Sequence, residues 1–343
     1  MSTYKEIFGE KIKKGSADPS NPLEGQMWYN STTGTLRARL NVAAAFASGG
    51  TIPVGSTWNG RAGTNTAALS HHGLYGPGPQ PNDNKTFEYD GSTWTATGNC
   101  NQTMRLLGSS GVQTSAMAFC GGLNPNNPSF PPQASNKTES YNGSTWTNET
   151  NYPTNTIGAS GAGASETSTL GFGGGVPPTY VSTNCRSYNG SSWSTEPSTN
   201  VASYGLGGAG TETAALKSGM YAPVGPETNQ AEEFDGSSWT NVNASSLTRR
   251  NNIATGGPQT AAFSAGGYGP GSPAPNIAAA ESYDGTNWAT MANMANAGVR
   301  GGCSLTTPNA SALVFTGGSS PYLTGNTEQY TAAYVGTETV TTS

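Results

Sequence analysis

Apolar positions along this chain fall into short runs, and glycine, serine, threonine and asparagine fill the intervals between them. One hexapeptide recurs with an aromatic residue, an Asn-Gly or Asp-Gly pair and then a tryptophan, at Tyr89–Trp94, Tyr141–Trp146, Tyr188–Trp193, Phe234–Trp239 and Tyr283–Trp288. Such pairs predict hairpins with type I′ turns, in which both central residues have positive φ. With the turn at Asn142-Gly143, Tyr141 would face Ser144, and Trp146 would lie one diagonal step away on the same side.

A second feature recurs between the hairpins, as a short apolar strand that usually ends in glycines. Its six copies begin about 50 residues apart, at residues 66, 114, 167, 213, 260 and 311. A further short glycine-rich strand precedes each copy, so one unit has four strands. Because a lone hairpin is marginal in water, the units must pack on one another. The pattern predicts an all-β fold, a β-propeller of six four-stranded blades, with seven blades as the alternative.

The two ends of the repeat region complete each other. The last unit contains Thr327–Tyr330 but lacks the tryptophan that should follow. Phe46 stands ahead of the first apolar strand at the distance where other units carry their tryptophan. We therefore expect residues 41–48 to pair with the C-terminal blade and close a propeller that spans residues 41–343.

Composition and charge narrow the possible functions. Only 10% of the 343 residues are charged and the net charge is −5, so the chain has no basic surface for nucleic acid. No apolar run is long enough to span a membrane, and the first residues lack the apolar core of a signal peptide. The four cysteines, Cys100, Cys120, Cys185 and Cys303, lie far apart without metal-binding spacing, which favours free buried thiols.

Candidate chemistry is sparse. The chain has two histidines, His71 and His72, and neighbours on a strand point to opposite faces, so we expect no metal or cofactor there. Neither a catalytic triad nor a glycosidase pair is recognisable, and we expect no enzyme. Four glutamates share the position two residues before the hairpin aromatic, and a structural role as acceptors of backbone N–H groups from a neighbouring blade is favoured over a cation site. They are Glu139, Glu232, Glu281 and Glu328.

Three features of the units resemble the kelch repeat over roughly residues 41–335. They are the double glycine, the Glu-x-Tyr of Glu139–Tyr141, Glu281–Tyr283 and Glu328–Tyr330, and the later tryptophan. The resemblance implies a kelch-like β-propeller. It implies no particular activity, because propellers host many functions.

The first 40 residues read as a separate, extended arm. Residues 18–34 are similar to a stretch near the start of tail-fibre and other virion proteins of bacteriophages, particularly marine and cyanobacterial ones. That resemblance implies a virion protein, made in the host cytoplasm without a signal peptide and present in several copies. We expect residues 1–40 to attach it to other virion proteins. The expected anchoring residues are Trp28, Tyr29, Lys11, Lys13 and Lys14.

The connections between second and third strands differ in every unit, and each contains an aromatic residue. Strand alternation places them on one face of the propeller, where varied loops on a repeated scaffold commonly serve recognition. We expect this face to bind a host-surface receptor or glycan. The alternatives are a decoration or cement protein of capsid or tail, and a glycan-active enzyme. The candidate ligand-binding residues are Tyr75, Phe130, Tyr180, Tyr221, Tyr268 and Tyr322.

Overall fold

The fold is built almost entirely from β-strands. The computed structural model describes residues 12–75, 84–123, 133–175, 179–220, 228–248, 254–269, 276–297, 302–303, 311–317 and 324–340. Within these ranges the one helical element is a 3₁₀ turn at Gln259–Ala261. None of the described residues forms a helix with the length and apolar character needed to cross a membrane.

The chain divides into two compact units, Met1–Ala45 with Thr331–Ser343, and Phe46–Tyr330. The first, which we call the arm unit, holds one four-stranded sheet in the order Lys13–Gly15, Met27–Asn30, Thr35–Val42 and Tyr334–Thr339. The first two strands are parallel and the remaining pairs are antiparallel. The division differs from the boundary expected at residue 40, because the C-terminal strand pairs with Thr35–Val42 instead of joining the repeats.

The second, which we call the main unit, contains six four-stranded antiparallel sheets among its described residues. In sheets 1 to 5, four strands pair with one another in chain order. Sheet 1 is Gly60–Gly63, Ala68–His71, Thr86–Tyr89 and Trp94–Ala96; sheet 2 is Gly108–Val112, Ser115–Phe119, Thr138–Tyr141 and Trp146–Asn148; sheet 3 is Ile157–Ser165, Ser168–Gly175, Cys185–Tyr188 and Trp193–Glu196. Sheet 4 is Gly207–Gly210, Ala215–Met220, Thr228–Phe234 and Trp239–Val242; sheet 5 is Ala254–Gly256, Phe263–Ala265, Ala280–Tyr283 and Trp288–Thr290.

Sheet 6 takes its fourth strand from the beginning of the chain. Its first three strands are Gly302–Cys303, Ser311–Gly317 and Thr324–Thr331, and the fourth is Ala45–Ser48. The ring centroids of Phe46 and Tyr330 lie 5.1 Å apart. Two short ladders complete the main unit and pair Ser56–Thr57 with Leu74–Tyr75 and Gly122–Leu123 with Gln133–Ala134.

The five hairpins form as expected, but their turns differ from the expected ones. Tyr141 pairs directly with Trp146, so four residues, not two, connect the strands. Gly143 has a φ of 92°, whereas Asn142 is not among the residues with positive φ, which excludes a type I′ turn there. The expected aromatic pair is confirmed, since the Tyr141 and Trp146 ring centroids are 5.1 Å apart.

The side chain of the Asn or Asp determines this turn. The Oδ1 atom of Asn142 accepts hydrogen bonds from the backbone N–H of Ser144 at 3.0 Å and of Thr145 at 2.9 Å. This Asx turn replaces backbone hydrogen bonds that a two-residue turn would make. Equivalent bonds are made by Asp90, Asn189, Asp235 and Asp284.

Neighbouring sheets contact each other through their first strands. These strands touch in chain order from sheet 1 to sheet 6, and the first strand of sheet 6 touches that of sheet 1. Glycine is needed where the backbones approach closely, because a Cβ at Gly208 would lie 2.6 Å from the Gly161 carbonyl oxygen. These observations confirm the predicted all-β class, and the many small antiparallel sheets are consistent with a propeller-like fold.

Candidate functional site

Buried glutamates connect adjacent sheets of the main unit. Glu328 on sheet 6 accepts hydrogen bonds from the backbone N–H groups of Ala295 at 2.7 Å and Asn296 at 3.0 Å, in the segment that follows sheet 5. Glu139, Glu232 and Glu281 accept N–H groups in the same way from the segments after sheets 1, 3 and 4. The predicted role of these carboxylates as acceptors for a neighbouring sheet is therefore confirmed.

One of these glutamates also binds a buried lysine. Lys217 Nζ donates hydrogen bonds to Glu232 Oε1 at 2.7 Å and to the Val201 carbonyl oxygen at 2.6 Å. Both charged side chains are fully buried. Burial lowers the pKa of Lys217, although Glu232 opposes that effect. The contact between sheets 3 and 4 therefore explains why this ion pair is present.

A different arrangement surrounds Glu139, where the two histidines of the chain meet a cysteine. His71 Nδ1 and His72 Nδ1 are 2.9 Å apart, and Cys100 Sγ lies 3.2 Å from His72 Nδ1. On the far side of the His72 ring, Nε2 lies 2.9 Å from Glu139 Oε2. His71, His72 and Glu139 are 0% exposed and Cys100 is 2% exposed. We call these four residues the His-Cys cluster.

The backbone explains why adjacent histidines converge, contrary to our expectation that they would diverge. His71 ends a strand and His72 follows with a φ of 53°, so strand alternation does not continue through His72. Gly173 and Gly266 occupy this left-handed position in sheets 3 and 5, at φ values of 69° and 68°, and Cys120 occupies it in sheet 2 at 64°. Alternation alone therefore missed the cluster, and a non-glycine residue at this position is not by itself a signal for it.

A glycine on the neighbouring strand makes room for the His71 ring. Gly60 pairs with His71, and a Cβ at Gly60 would lie 2.0 Å from the His71 ring. The Trp146 ring packs against the same imidazole, with centroids 4.9 Å apart. His71 Nε2 is buried without a hydrogen-bond partner in the described part of the chain. Packing against Gly60 and Trp146 fixes the position of the His71 ring. A buried ring nitrogen without a hydrogen-bond partner is unusual.

Within the cluster, the pKa values of the two histidines shift in opposite directions. Burial, together with the positive charges of His72 and Arg61, lowers the pKa of His71 well below its usual value. Burial also disfavours charge on His72, but Cys100 and Glu139 outweigh it and raise the pKa of His72 to about 9. His71 is therefore neutral at pH 7, and the lone pair of its Nδ1 atom faces His72 Nδ1. The ligand atoms of His71, His72 and Cys100 all lie within 4.8 Å of one another, a spacing that could hold a metal ion.

The expected ligand-binding aromatics belong to different sheets. Tyr180, which follows the second strand of sheet 3, is half-buried, and its ring centroid is 6.4 Å from that of Tyr204. Tyr268, also half-buried, pairs with Asn276 next to sheet 5. Tyr75 lies in the Leu74–Tyr75 strand, and its side chain is outside the described part. Outside the described residues lie Phe130, Tyr221 and Tyr322.

The anchoring residues differ in their exposure within the arm unit. Trp28 is 1% exposed and its Nε1 atom donates a hydrogen bond to Asp18 at 2.9 Å. Its side chain therefore packs within the arm unit. Tyr29 is 37% exposed and Lys14 is exposed. The Lys13 side chain and all of Lys11 lie outside the described residues. Of the residues expected to dock, Tyr29 and Lys14 are those described as available on the surface.

The cysteines agree with the sequence expectation as far as they are described. Cys100, Cys120 and Cys185 are buried and form no disulfide. Burial raises the pKa of Cys185 to about 12, which makes its thiol unreactive. Cys303 lies in a described strand, but its side chain is not described. Among the three described thiols, Cys100 alone lies beside histidine.

A shallow pocket lies where the first strands of sheets 1 to 3 converge. Asn59, Arg61, Ser109 and Ser160 contribute polar groups to its lining, together with Leu107 and two glycines. The backbone N–H of Arg61 donates to Ser109 Oγ at 2.9 Å, so part of this polar surface is already used within the fold. The pocket therefore offers less distinctive chemistry than the His-Cys cluster.

Comparisons with known proteins assign this chain to no family. No protein-family model matches it, and no curated protein matches it either.

Proposed function

We propose that the main unit is a six-bladed, kelch-like β-propeller and that the protein is a virion component of a bacteriophage. The observation that carries the fold is the succession of contacts between first strands, which returns from sheet 6 to sheet 1. Side chains reinforce this last contact. Trp94 Nε1 on sheet 1 donates to Thr327 Oγ1 on sheet 6 at 2.9 Å, and Gln329 Nε2 donates to the Tyr89 hydroxyl at 2.8 Å.

The proposed propeller closes through a strand from the start of the chain. Ala45–Ser48 supplies the outer strand that sheet 6 would otherwise lack. Phe46 and Tyr330 repeat the aromatic pairing of the hairpins, with a centroid distance close to the 5.1 Å of Tyr141 and Trp146. A closed ring has no unpaired blade at either end, which suits a protein that must survive outside a cell.

The proposal of a virion protein rests on the arm and on the absence of recognisable catalytic groups from the sequence. Residues 18–34 are similar to a stretch of phage tail-fibre and other virion proteins. Exposed Tyr29 and Lys14 offer a mixed aromatic and basic surface for docking on another virion protein. Buried carboxylates, which can serve hydrolysis in other proteins, are engaged here by backbone N–H groups.

The proposed recognition surface is the edge of the sheets where second strands lead into third strands. In sheets 1 to 5 the uniform Asx turns lie at one end of the strands, and the varied connections lie at the other. Tyr180 and Tyr268 lie at that end in sheets 3 and 5. Aromatic rings supply rigid apolar area at low entropic cost, and the asparagines and serines around them can hydrogen-bond sugar hydroxyls. A neutral host-surface glycan fits this chemistry and the low charge.

The test asks whether the protein is present in phage particles and whether its tyrosines are needed for adsorption to host cells. Purified particles are examined by mass spectrometry and by labelling with antibody against this protein. A variant with Tyr75, Tyr180 and Tyr268 replaced by Ala is then compared with a control that replaces the exposed fourth-strand residues Thr95, Thr147 and Thr240 by Ala.

We expect both variants to enter particles, and only the tyrosine variant to adsorb to host cells at least about tenfold more slowly, because recognition energy is concentrated in few aromatic residues. Normal adsorption of the tyrosine variant would refute the receptor role. Failure of that variant alone to enter particles would favour the cement role. Absence of the wild-type protein from particles would refute the virion assignment.

A further inference from the structure

We propose that His71, His72 and Cys100 bind one zinc ion in the main unit, with Glu139 orienting His72 from the other side of its ring. The proposal is independent of the proposed virion function. It rests on four observations: the convergence of the donor atoms, their burial, the carboxylate beside His72, and the backbone that positions the two imidazoles.

The donor spacing is close to that of a tetrahedral zinc site. With bonds of about 2.0–2.1 Å to nitrogen and 2.3 Å to sulfur, Zn²⁺ holds its ligand atoms roughly 3.3–3.6 Å apart. The observed separations are 2.9 Å between the two Nδ1 atoms and 3.2 Å between His72 Nδ1 and Cys100 Sγ. Ligand atoms of all three residues lie within 4.8 Å of one another. Small side-chain shifts would bring the three pairs to the distances that zinc requires. Two imidazoles and one thiolate form a donor set that zinc favours, and a water would complete the fourth position.

The position of Glu139 matches a recurrent feature of metal sites. A histidine that ligates a metal commonly donates its other ring N–H to a carboxylate, which fixes the tautomer and makes the ligand more basic. Glu139 Oε2 takes this place at 2.9 Å from His72 Nε2. The second carboxylate oxygen accepts the backbone N–H of Asn101, which directly follows Cys100. Glu139 therefore positions both His72 and the segment that carries the thiol.

Two neighbours compete for one hydrogen at His72 Nδ1. His71 Nδ1 and Cys100 Sγ both lie close to this atom, although one ring nitrogen can make only one strong hydrogen bond. The other polar contact of Cys100 Sγ is a longer one, 3.4 Å from Thr86 Oγ1. A cation at the centre would displace the protons from His72 Nδ1 and the Cys100 thiol, and it would then accept one lone pair from each of the three atoms. It would also offset the negative charges of the Cys100 thiolate and Glu139 in a buried region.

The backbone conformation of His72 also supports a metal site. Its left-handed conformation is strained for a non-glycine residue, and such strain is concentrated at functional sites. Sheets 3 and 5 have Gly173 and Gly266 at the equivalent position, whereas sheet 2 has Cys120 there. Because the side chains of the cluster are buried, the ion would be structural. It would connect the second strand of sheet 1 to the segment after its fourth strand and, through Glu139, to sheet 2.

The experiment uses the full chain, refolded from denaturant with Zn²⁺, with Co²⁺ as a spectroscopic substitute, or with chelator. The variants are Cys100→Ser, Glu139→Gln and His72→Gly, and the last introduces the residue found in sheets 3 and 5. The control is Cys120→Ser, which alters a buried thiol directly after the second strand of sheet 2. Circular dichroism establishes that each variant is folded before its metal content is measured.

We expect one zinc per wild-type chain, a thiolate-to-cobalt charge-transfer band with Co²⁺, and a thermal midpoint about 5 °C or more above that of the chelated protein. The control should keep all three properties. Cys100→Ser and His72→Gly should bind at least about 100-fold more weakly, and Glu139→Gln about 10- to 100-fold more weakly. Wild-type protein without bound zinc or a thiolate–cobalt band, or full binding by folded Cys100→Ser, would overturn the proposal.

Discussion

Substitutions at the buried pair of Lys217 and Glu232 can measure how much the contact between sheets 3 and 4 contributes to the free energy of unfolding. Replacing Lys217 by Met removes both hydrogen bonds from Nζ and leaves the Glu232 carboxylate buried with the N–H groups of Asn200 and Val201. Removing one member of a buried ion pair typically costs about 3–5 kcal/mol. Since both side chains are fully buried, we expect the free energy of unfolding to fall by about this amount.

The assay is equilibrium unfolding in urea, followed by tryptophan fluorescence. The double variant Lys217→Met/Glu232→Gln has no unpaired buried charge, so it should lose about 2 kcal/mol less than the sum of the two single variants. The matched control is Lys137→Met at a half-buried lysine, with an expected cost of about 0.5 kcal/mol or less. If Lys217→Met costs no more than the control, or if the two substitutions are additive, the ion pair does not stabilise this contact as described.

Three further predictions concern the hairpins and the closing strand. Hydrogen bonds from Ser237 and Ser238 lower the pKa of Asp235 to about 2. The stabilisation by the Asp235 carboxylate should therefore persist above about pH 4 and disappear as the pH falls toward 2. NMR titration checks the pKa, and Asp235→Asn should remove this pH dependence. Phe46→Ala should cost about 2 kcal/mol, since the ring is half-buried, whereas Phe46→Trp should be tolerated in thermal unfolding. Gly143→Ala should cost about 1–2 kcal/mol in urea unfolding, because Gly143 has a φ of 92°; an unchanged midpoint would contradict this.

The sequence predicted those features that depend on short-range pattern. The Tyr141 and Trp146 positions predicted a hairpin with an aromatic pair, and alternation was sufficient because both residues lie on regular strands. The turn itself was predicted incorrectly. Asn142 was interpreted by its tolerance of positive φ, whereas its side-chain oxygen caps the loop and leaves the positive φ to Gly143.

The His-Cys cluster shows why a candidate site can be invisible in a sequence. Alternation fails at His72 because the strand ends there and the backbone enters the left-handed region. Cys100 reaches the cluster from a segment after the fourth strand, and Glu139 reaches it from another sheet, so no spacing motif connects them. The fold of sheet 1 brings Cys100 to the histidines, and packing of sheet 2 against it adds Glu139.

The fourth strand of sheet 6 has a consequence for the order in which the protein is made. Ala45–Ser48 leaves the ribosome before sheets 1 to 5, whereas its partner Thr324–Thr331 is synthesised after them. Sheets 1 to 5 consist of strands that are near neighbours in sequence, so each can form during translation. Ala45–Ser48 must wait with unpaired backbone groups until all five of these sheets have emerged. A chain that terminates prematurely would expose both this strand and the edge of its last sheet, which would mark it for chaperones or proteases before it could be assembled.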